Sequence, residues 1–209
     1  MKKWLLVALL AGGVFASDQV TKFLAVGHLT SAFRAAGAIT FSQELAAFVE
    51  EKNLLERGMA NPPSVVVGSF WQHRYTQNPG AAWGVLSGAR AGFRVPFFHL
   101  VTIAAVIFLS LYLRKLEEGQ RYLQVAGSLL LGGALGNGLD RILRGYVIDF
   151  IDWHWFDPNW ANPARHWPTF NVADSGISVG LLLLFVEMLF SKKPISKAAQ
   201  AEADSRFPS

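Results

Sequence analysis

Four long apolar segments alternate with polar stretches along the chain. They cover residues 4–26, 95–113, 122–139 and 171–190. A helix needs roughly 20 residues, at about 1.5 Å rise per residue, to cross about 30 Å of hydrocarbon, and each segment is close to that length. The pattern therefore predicts an all-α membrane bundle of four transmembrane helices.

The connection after the first apolar segment carries two further patterns. Residues 41–57 place several apolar side chains roughly on one helical face, which predicts an amphipathic surface helix within an extracytoplasmic insert over 30–63. The residues on that face are Leu45, Phe48, Val49 and Leu55. Residues 64–75 are rich in β-branched and aromatic side chains, and they predict the strands of a small extracytoplasmic β platform.

Composition and charge agree with a membrane protein. Only 16% of the residues are charged, against about 25% in a typical soluble domain. Basic residues flank the start of the first span, the connection between the second and third, and the end of the last: Lys2, Lys3, Arg114, Lys115, Arg121, Lys192, Lys193 and Lys197. This bias predicts that both termini and the middle connection are cytoplasmic. The net charge of +4 then reflects topology and attraction to anionic lipid, with no sign of a nucleic-acid site.

The two ends of the chain need separate interpretation. The first segment imitates a cleavable secretory signal, because Lys2 and Lys3 precede an apolar run that ends in small residues before Ser17. The apolar pattern resumes after Asp18, so we expect a retained helix. From residue 191 onward Lys, Ser, Ala and Glu dominate, which predicts a disordered cytoplasmic tail after a single membrane domain over residues 1–190.

The residue inventory narrows the possible chemistry. The chain has no cysteine, which excludes disulfides and thiolate nucleophiles, and its five histidines lack the spacing of metal ligands. We therefore expect neither a metal nor another cofactor.

Two aspartates lie at the outer ends of apolar segments. Asp149 is embedded in an apolar run, and Asp174 directly precedes the last predicted span. Carboxylates beside lipid are expensive to keep ionised, so such a pair indicates a working site. Two carboxyls that cannot both ionise easily can activate water for attack on an amide. The hypothesis from the residues alone is a membrane-embedded aspartyl peptidase.

Other carboxylates compete for this role. Asp140 precedes Arg141 and fits an ion-paired structural element better than a catalytic acid. Asp152 and Asp157 lie in a polar, proline-rich stretch where a solvated surface is the expected environment. Sequence spacing alone does not choose Asp149 over Asp140.

Further polar residues allow two interpretations each. Asp18 and Lys22 share a helical face, either as a self-neutralising pair with Lys22 reaching outward or as a polar strut beneath a site. Asn78, in an Asn-Pro-Gly turn, either belongs to a tight turn on the membrane or offers its amide to an extended peptide. The glycines at 132, 133 and 136 predict close helix packing.

Five motifs in order resemble the signature of lipoprotein signal peptidases, the signal peptidase II family. They are Asp18-Gln19-Val20-Thr21-Lys22, Asn78-Pro79-Gly80-Ala81-Ala82-Trp83, Gly136-Asn137-Gly138-Leu139-Asp140-Arg141, Val147-Ile148-Asp149-Phe150 and Phe170-Asn171-Val172-Ala173-Asp174-Ser175. The resemblance covers the four predicted spans and most of the outside connections. Three features depart from the family pattern: the insert 30–63, an enlarged connection over 154–168, and Gly138 in place of a larger apolar residue.

The resemblance implies a membrane aspartyl endopeptidase that cuts diacylglyceryl-modified bacterial prolipoproteins before the lipidated cysteine. It implies Asp149 and Asp174 as the catalytic pair. The residues implied as the supporting shell are Asp18, Lys22, Asn78, Asn137, Asp140, Arg141 and Asn171. We further expect a monomer in the bacterial inner membrane, with the site near the outer face and with prolipoproteins and lipids as its partners.

Two other classes of protein compete with a peptidase. A small ion- or proton-coupled transporter subunit could use the same carboxylates, although such a protein would need them near the membrane midplane. A non-enzymatic membrane scaffold could hold the aspartates as structural pairs.

Overall fold

A computed structural model describes residues 2–50, 58, 60–80, 85–86, 88–155 and 165–190. In chain order its elements are α1 (Lys3–Leu29), α2 (Ala32–Ala35), α3 (Phe41–Glu50), β1 (Ser64–Val67), β2 (Trp71–Asn78), α4 (Ala91–Lys115), α5 (Arg121–Arg144), β3 (Val147–Trp153) and α6 (Val172–Phe190). The described residues do not include the predicted tail over 191–209, residues 81–83 of the motif that begins at Asn78, or Asp157.

Within the described part of the chain, three helices are long and apolar enough to cross a membrane. They are α1, α4 and α6, which correspond to three of the four predicted spans. The fourth predicted span coincides with α5, which packs against α1, α4 and α6. The predicted bundle is therefore present as helices, and three of its members have the length and composition of a span.

Small residues let α5 approach its neighbours closely. A Cβ atom built on Gly132 would lie 2.6 Å from the carbonyl oxygen of Ala11 in α1. One built on Gly133 would lie 2.5 Å from the carbonyl oxygen of Ala173 in α6. These distances are too short for any side chain, so glycine is required at both positions. The packing role predicted for the glycines is confirmed.

The two ends of the bundle differ in character. At one end Lys3 Nζ donates to the carbonyl oxygens of Arg114 at 3.1 Å and Leu116 at 2.7 Å, so the start of α1 meets the end of α4. At the other end the backbone N–H of Asn61 donates to the carbonyl oxygen of Leu29 at 2.8 Å. The sheet therefore lies at the end of the bundle where α1 finishes.

The platform is a three-stranded antiparallel sheet with the order β1-β2-β3. Its first two strands fall in and just beyond the predicted strand region. The third strand was not predicted from the sequence. Four consecutive residues of β3, from Val147 to Phe150, are buried, so the strand lacks the alternation of polar and apolar residues that marks a half-exposed strand. Gly145, at a φ of 80°, ends α5 in a left-handed turn and leads directly into β3.

The predicted surface helix is present as α3, while its predicted continuation over 51–57 lies outside the described residues. The predicted apolar face divides into two parts. Phe48 is buried and packs its ring 5.6 Å from that of Phe23 in α1. Leu45 and Val49 remain exposed.

Replacing Gly133 with alanine should separate α5 from α6, because the added methyl group would meet the Ala173 carbonyl oxygen. We expect a destabilisation of about 1–3 kcal/mol, measured as a lower thermal midpoint in detergent. The matched control is Gly13→Ala in α1, where an added Cβ has nothing within 4 Å. Equal thermal midpoints for the two variants would contradict the packing described here.

Candidate active site

Asn171 and Asp174 form a reciprocal cap at the start of α6. The backbone N–H of Asp174 donates to Asn171 Oδ1 at 2.9 Å, and the backbone N–H of Asn171 donates to Asp174 Oδ2 at 3.2 Å. This is the capping-box arrangement of an N-cap residue and the residue three positions later. The carboxylate of Asp174 is consequently held at the first turn of the helix, at the sheet end of the bundle.

Asn171 also contacts Asp149, on β3, and so links the two aspartates. Its side-chain amide donates to Asp149 Oδ1 at 2.7 Å. The other oxygen of Asp149 accepts from Asn78 Nδ2 at 2.9 Å. Asp174 Oδ1 accepts from Asn137 Nδ2 at 2.7 Å. Each carboxylate thus accepts two hydrogen bonds, and Asn171 contributes to both.

The environment of Asp149 favours its protonated form. Burial and the neighbouring charge of Asp174 raise the pKa of the Asp149 carboxyl to about 7, against the opposing hydrogen bonds from Asn78 and Asn171. Only 1% of the residue is exposed. A carboxyl with this pKa can share a proton with its neighbour near neutral pH, and the proton then belongs to the pair.

Lys22 is fully buried, and Asn137 lies between it and Asp174 in the hydrogen-bond network. Its Nζ is 2.8 Å from Asp18 Oδ2 and 2.8 Å from Asp140 Oδ2, and it donates to Asn137 Oδ1 at 3.1 Å. Asp18 Oδ1 accepts from the backbone N–H of Ala173, the second residue of α6, at 2.9 Å. The interpretation in which Lys22 reaches outward is wrong, and the polar-strut interpretation of this pair agrees with the contacts.

Asp140 is ion-paired as expected, but its partners are not Arg141, the adjacent residue in the sequence. It pairs with Lys22 and, at 2.9 Å, with Arg144 Nη1, four residues later on α5. Arg144 Nη2 donates to the carbonyl oxygen of Phe48 in α3. The sequence interpretation did not include Arg144, although the same four-residue spacing had marked Asp18 with Lys22.

Arg141 points to a different part of the site. Its Nη2 donates to the carbonyl oxygen of Gly80 at 3.0 Å, and its guanidinium lies 4.8 Å from the centre of the Phe98 ring. It therefore connects α5 to the loop after β2. In that loop Asn78 Oδ1 accepts from the backbone N–H of Gly80 at 3.0 Å. Asn78 therefore closes a tight turn, as the first sequence interpretation expected, and its amide nitrogen donates to Asp149 instead of to a peptide.

The prediction that Asp152 lies on a solvated surface is wrong. Asp152 lies on β3 and has no exposed surface. It accepts from Gln72 Nε2 at 2.7 Å and pairs with Arg74 at 3.3 Å and His166 at 2.9 Å. Because residues three apart on a strand point to opposite faces, Asp152 and Asp149 occupy different environments.

Comparisons with known proteins show the family to which the chain belongs. The family model of signal peptidase (SPase) II matches residues 10–190. The chain is 48% identical over 204 residues to the lipoprotein signal peptidase of Anaeromyxobacter sp. (strain Fw109-5), which covers 98% of this chain and 94% of that relative. It is 40% identical over 151 residues to the lipoprotein signal peptidase of Bacillus subtilis (strain 168), covering 72% of this chain and 88% of the relative.

A solved structure described as a bacterial membrane enzyme has a TM-score of 0.61 to this chain at 31% identity, covering 90% of this chain and 91% of the other. A second structure, also described as a bacterial membrane enzyme, gives a TM-score of 0.58 at 30% identity. The resemblance found in the sequence motifs is confirmed by sequence and by fold, and the chain belongs to the signal peptidase II family of membrane peptidases.

Proposed function

We propose that this protein is a membrane aspartyl endopeptidase that removes signal peptides from diacylglyceryl-modified bacterial prolipoproteins, cutting before the lipidated cysteine. The proposed catalytic pair is Asp149 and Asp174. The observation that carries this assignment is that Asn171 joins the buried carboxylate of Asp149 to the half-buried carboxylate of Asp174 at the sheet end of the bundle. A transporter role has no support among the relatives, and the ion pairs around Lys22 leave Asp18 already neutralised.

The mechanism uses one ionised and one protonated carboxyl. The ionised aspartate takes a proton from a water molecule while the protonated one polarises the scissile carbonyl. The water oxygen bonds to the carbonyl carbon, and the carbon–nitrogen bond then breaks as the leaving amine receives a proton from the pair. Asp149, with its pKa raised to about 7 by burial and by Asp174, is suited to hold the proton at the start.

The remaining polar residues act as positioning residues. Asn171, Asn137 and Asn78 donate hydrogen bonds that orient the two carboxylates. Lys22, with Asp18 and Asp140, forms the ionic support behind them. Arg141 holds the loop after β2 near the site through the Gly80 carbonyl oxygen.

The fourth transmembrane span in this proposal is α5. Its 24 residues extend about 36 Å at 1.5 Å per residue. Because α5 packs against α1, α4 and α6, its polar residues lie inside the bundle, and this accounts for its lower apolar content. Intramembrane polar residues normally face such an interior.

The proposed topology places both termini in the cytoplasm and the site near the outer face of the bacterial inner membrane. Basic residues cluster at the end of the bundle where Lys3 meets the α4–α5 connection, which favours a cytoplasmic location for that end. The aspartates belong to the opposite end. We propose that α1 is retained, since Asp18 and Lys22 support the site, and that residues 1–190 act as one monomeric peptidase domain with a cytoplasmic tail over 191–209.

The lipid on the substrate suits a site at the membrane boundary. Two acyl chains on the cysteine would hold the scissile bond at the lipid surface. Confinement to that plane removes part of the orientational entropy cost of binding before the reaction begins.

Asp149→Asn and Asp174→Asn should each reduce cleavage of a purified lipidated prolipoprotein by about 10²-fold or more, because asparagine cannot carry the shared proton. The matched control is Asp152→Asn, a buried aspartate of the same strand outside this pair. Thermal midpoints in detergent would show that each variant is folded. Substantial cleavage by either dyad variant would contradict the assignment.

The rate of cleavage should fall on the alkaline side as the pH rises through about 7. The raised pKa of Asp149 means that its proton is retained below this pH and lost above it, which leaves the pair without the required acid. Initial rates between about pH 5 and 9, with folding checked at each pH, would test this. A rate that stays constant across that whole range would contradict the shared-proton mechanism.

A further inference from the structure

Helix α3 carries an apolar stripe that stays largely exposed in the described part of the chain. Phe41, Leu45 and Val49 follow one another at four-residue spacing, so they lie along one side of the helix. Phe41 is 69% exposed, and Ile39, just before the helix, is 90% exposed. Single exposed apolar residues are common on proteins, but a contiguous group of them usually marks a contact surface.

The side of α3 next to this stripe is polar. Ser42, Gln43 and Glu50 are exposed there, together with the small residue Ala46. The helix therefore has an exposed apolar side and an exposed polar side. This division is typical of a helix that lies at a boundary between lipid and water.

The buried side of α3 fixes its rotation. The Phe48 ring packs on Phe23 and lies beneath the guanidinium of Arg144, whose carbon is 4.1 Å from the ring centre. Arg144 also donates to the Phe48 carbonyl oxygen. With this side held in place, α3 cannot turn to bury its apolar stripe against the rest of the protein.

The position of α3 along the length of α1 indicates which environment surrounds the stripe. The Phe41 ring is 5.7 Å from the ring of Phe23, and Phe23 lies six positions before Leu29, where α1 ends. At 1.5 Å per residue, α3 contacts α1 about 9 Å back from the end of the span. Beside Phe23, Val20 and Leu24 are exposed on a helix apolar enough to cross a membrane.

The distribution of charged residues in the sequence agrees with this position of α3 beside α1. No charged residue occurs between Arg34 and Glu44, so the chain that brings α3 alongside α1 can enter an apolar environment without desolvating a charge. The Phe41 end of the stripe thus lies beside exposed apolar side chains of α1.

We propose that Ile39, Phe41, Leu45 and Val49 form an interfacial anchor that inserts into the boundary between acyl chains and headgroups of the bilayer. The polar side of α3 faces water, and its buried side remains attached to the bundle through Phe48 and Arg144. That the anchor enters the outer leaflet rests on the topology proposed above; its contact with lipid does not.

The absence of cysteine makes this inference directly testable. Single-cysteine variants Ile39→Cys and Leu45→Cys of the full chain would carry a nitroxide label in vesicles of phosphatidylcholine and phosphatidylglycerol. The matched water-side control is Ala46→Cys, one residue from Leu45 but about 100° around the helix. The lipid-side control is Ile107→Cys, which replaces an exposed residue in α4.

The measurement compares collision of each label with oxygen, which concentrates in lipid, and with a water-soluble nickel chelate. We expect labels at 39 and 45 to favour oxygen, as the label at 107 does, and the label at 46 to favour nickel. Nickel accessibility at 39 and 45 equal to that at 46 would overturn the proposal, because the stripe would then face water. Protection from both reagents would also overturn it, because a protein partner would then cover the stripe. Neither readout depends on cleavage, so the result is independent of the proposed catalytic pair.

Discussion

Lys22 carries its ammonium group at a position with no access to water, where an isolated charge would cost several kcal/mol. The cost is offset because Asp18 and Asp140 each lie 2.8 Å from that nitrogen and Asn137 accepts its third hydrogen bond. These partners come from α1 and α5. Asp18 also accepts a hydrogen bond from the backbone N–H of Ala173, the second residue of α6. Helices α1 and α5 therefore meet at this cation, and α6 joins them through its hydrogen bond to Asp18.

The same cation determines the orientation of the amides that reach the proposed catalytic pair. Because the oxygen of Asn137 faces the Lys22 ammonium, its nitrogen must face the other way, and it donates to Asp174. Asn171 donates to that Asn137 oxygen and to Asp149, while its own oxygen accepts from the backbone of Asp174. Lys22 thus sets the orientation of Asn137, and Asn137 and Asn171 donate hydrogen bonds to the two carboxylates.

A second ionic contact joins this centre to the insert. Asp140 uses one oxygen for Lys22 and the other for Arg144, and Arg144 in turn holds α3 through the Phe48 ring and carbonyl oxygen. The helix proposed as an interfacial anchor is therefore fastened on its buried side to the ion pairs beside the proposed catalytic pair. Arg144 is the last residue of α5, and from there it reaches both Asp140 and Phe48.

The sequence by itself determined features that depend on local periodicity. Apolar length predicted the helices, glycines predicted the close packing of α5, and the four-residue spacing of Asp18 and Lys22 predicted their pairing. The motifs identified the family, and through it Asp149 and Asp174 as the candidate pair. Only the tertiary structure decided which distant groups become neighbours. Strand β3 is buried on both faces and so lacks alternation, and Asp152 is buried although its surroundings in sequence are polar. Asp140 selects Arg144 over the adjacent Arg141 because helix geometry turns consecutive side chains about 100° apart and brings the fourth one back to the same face.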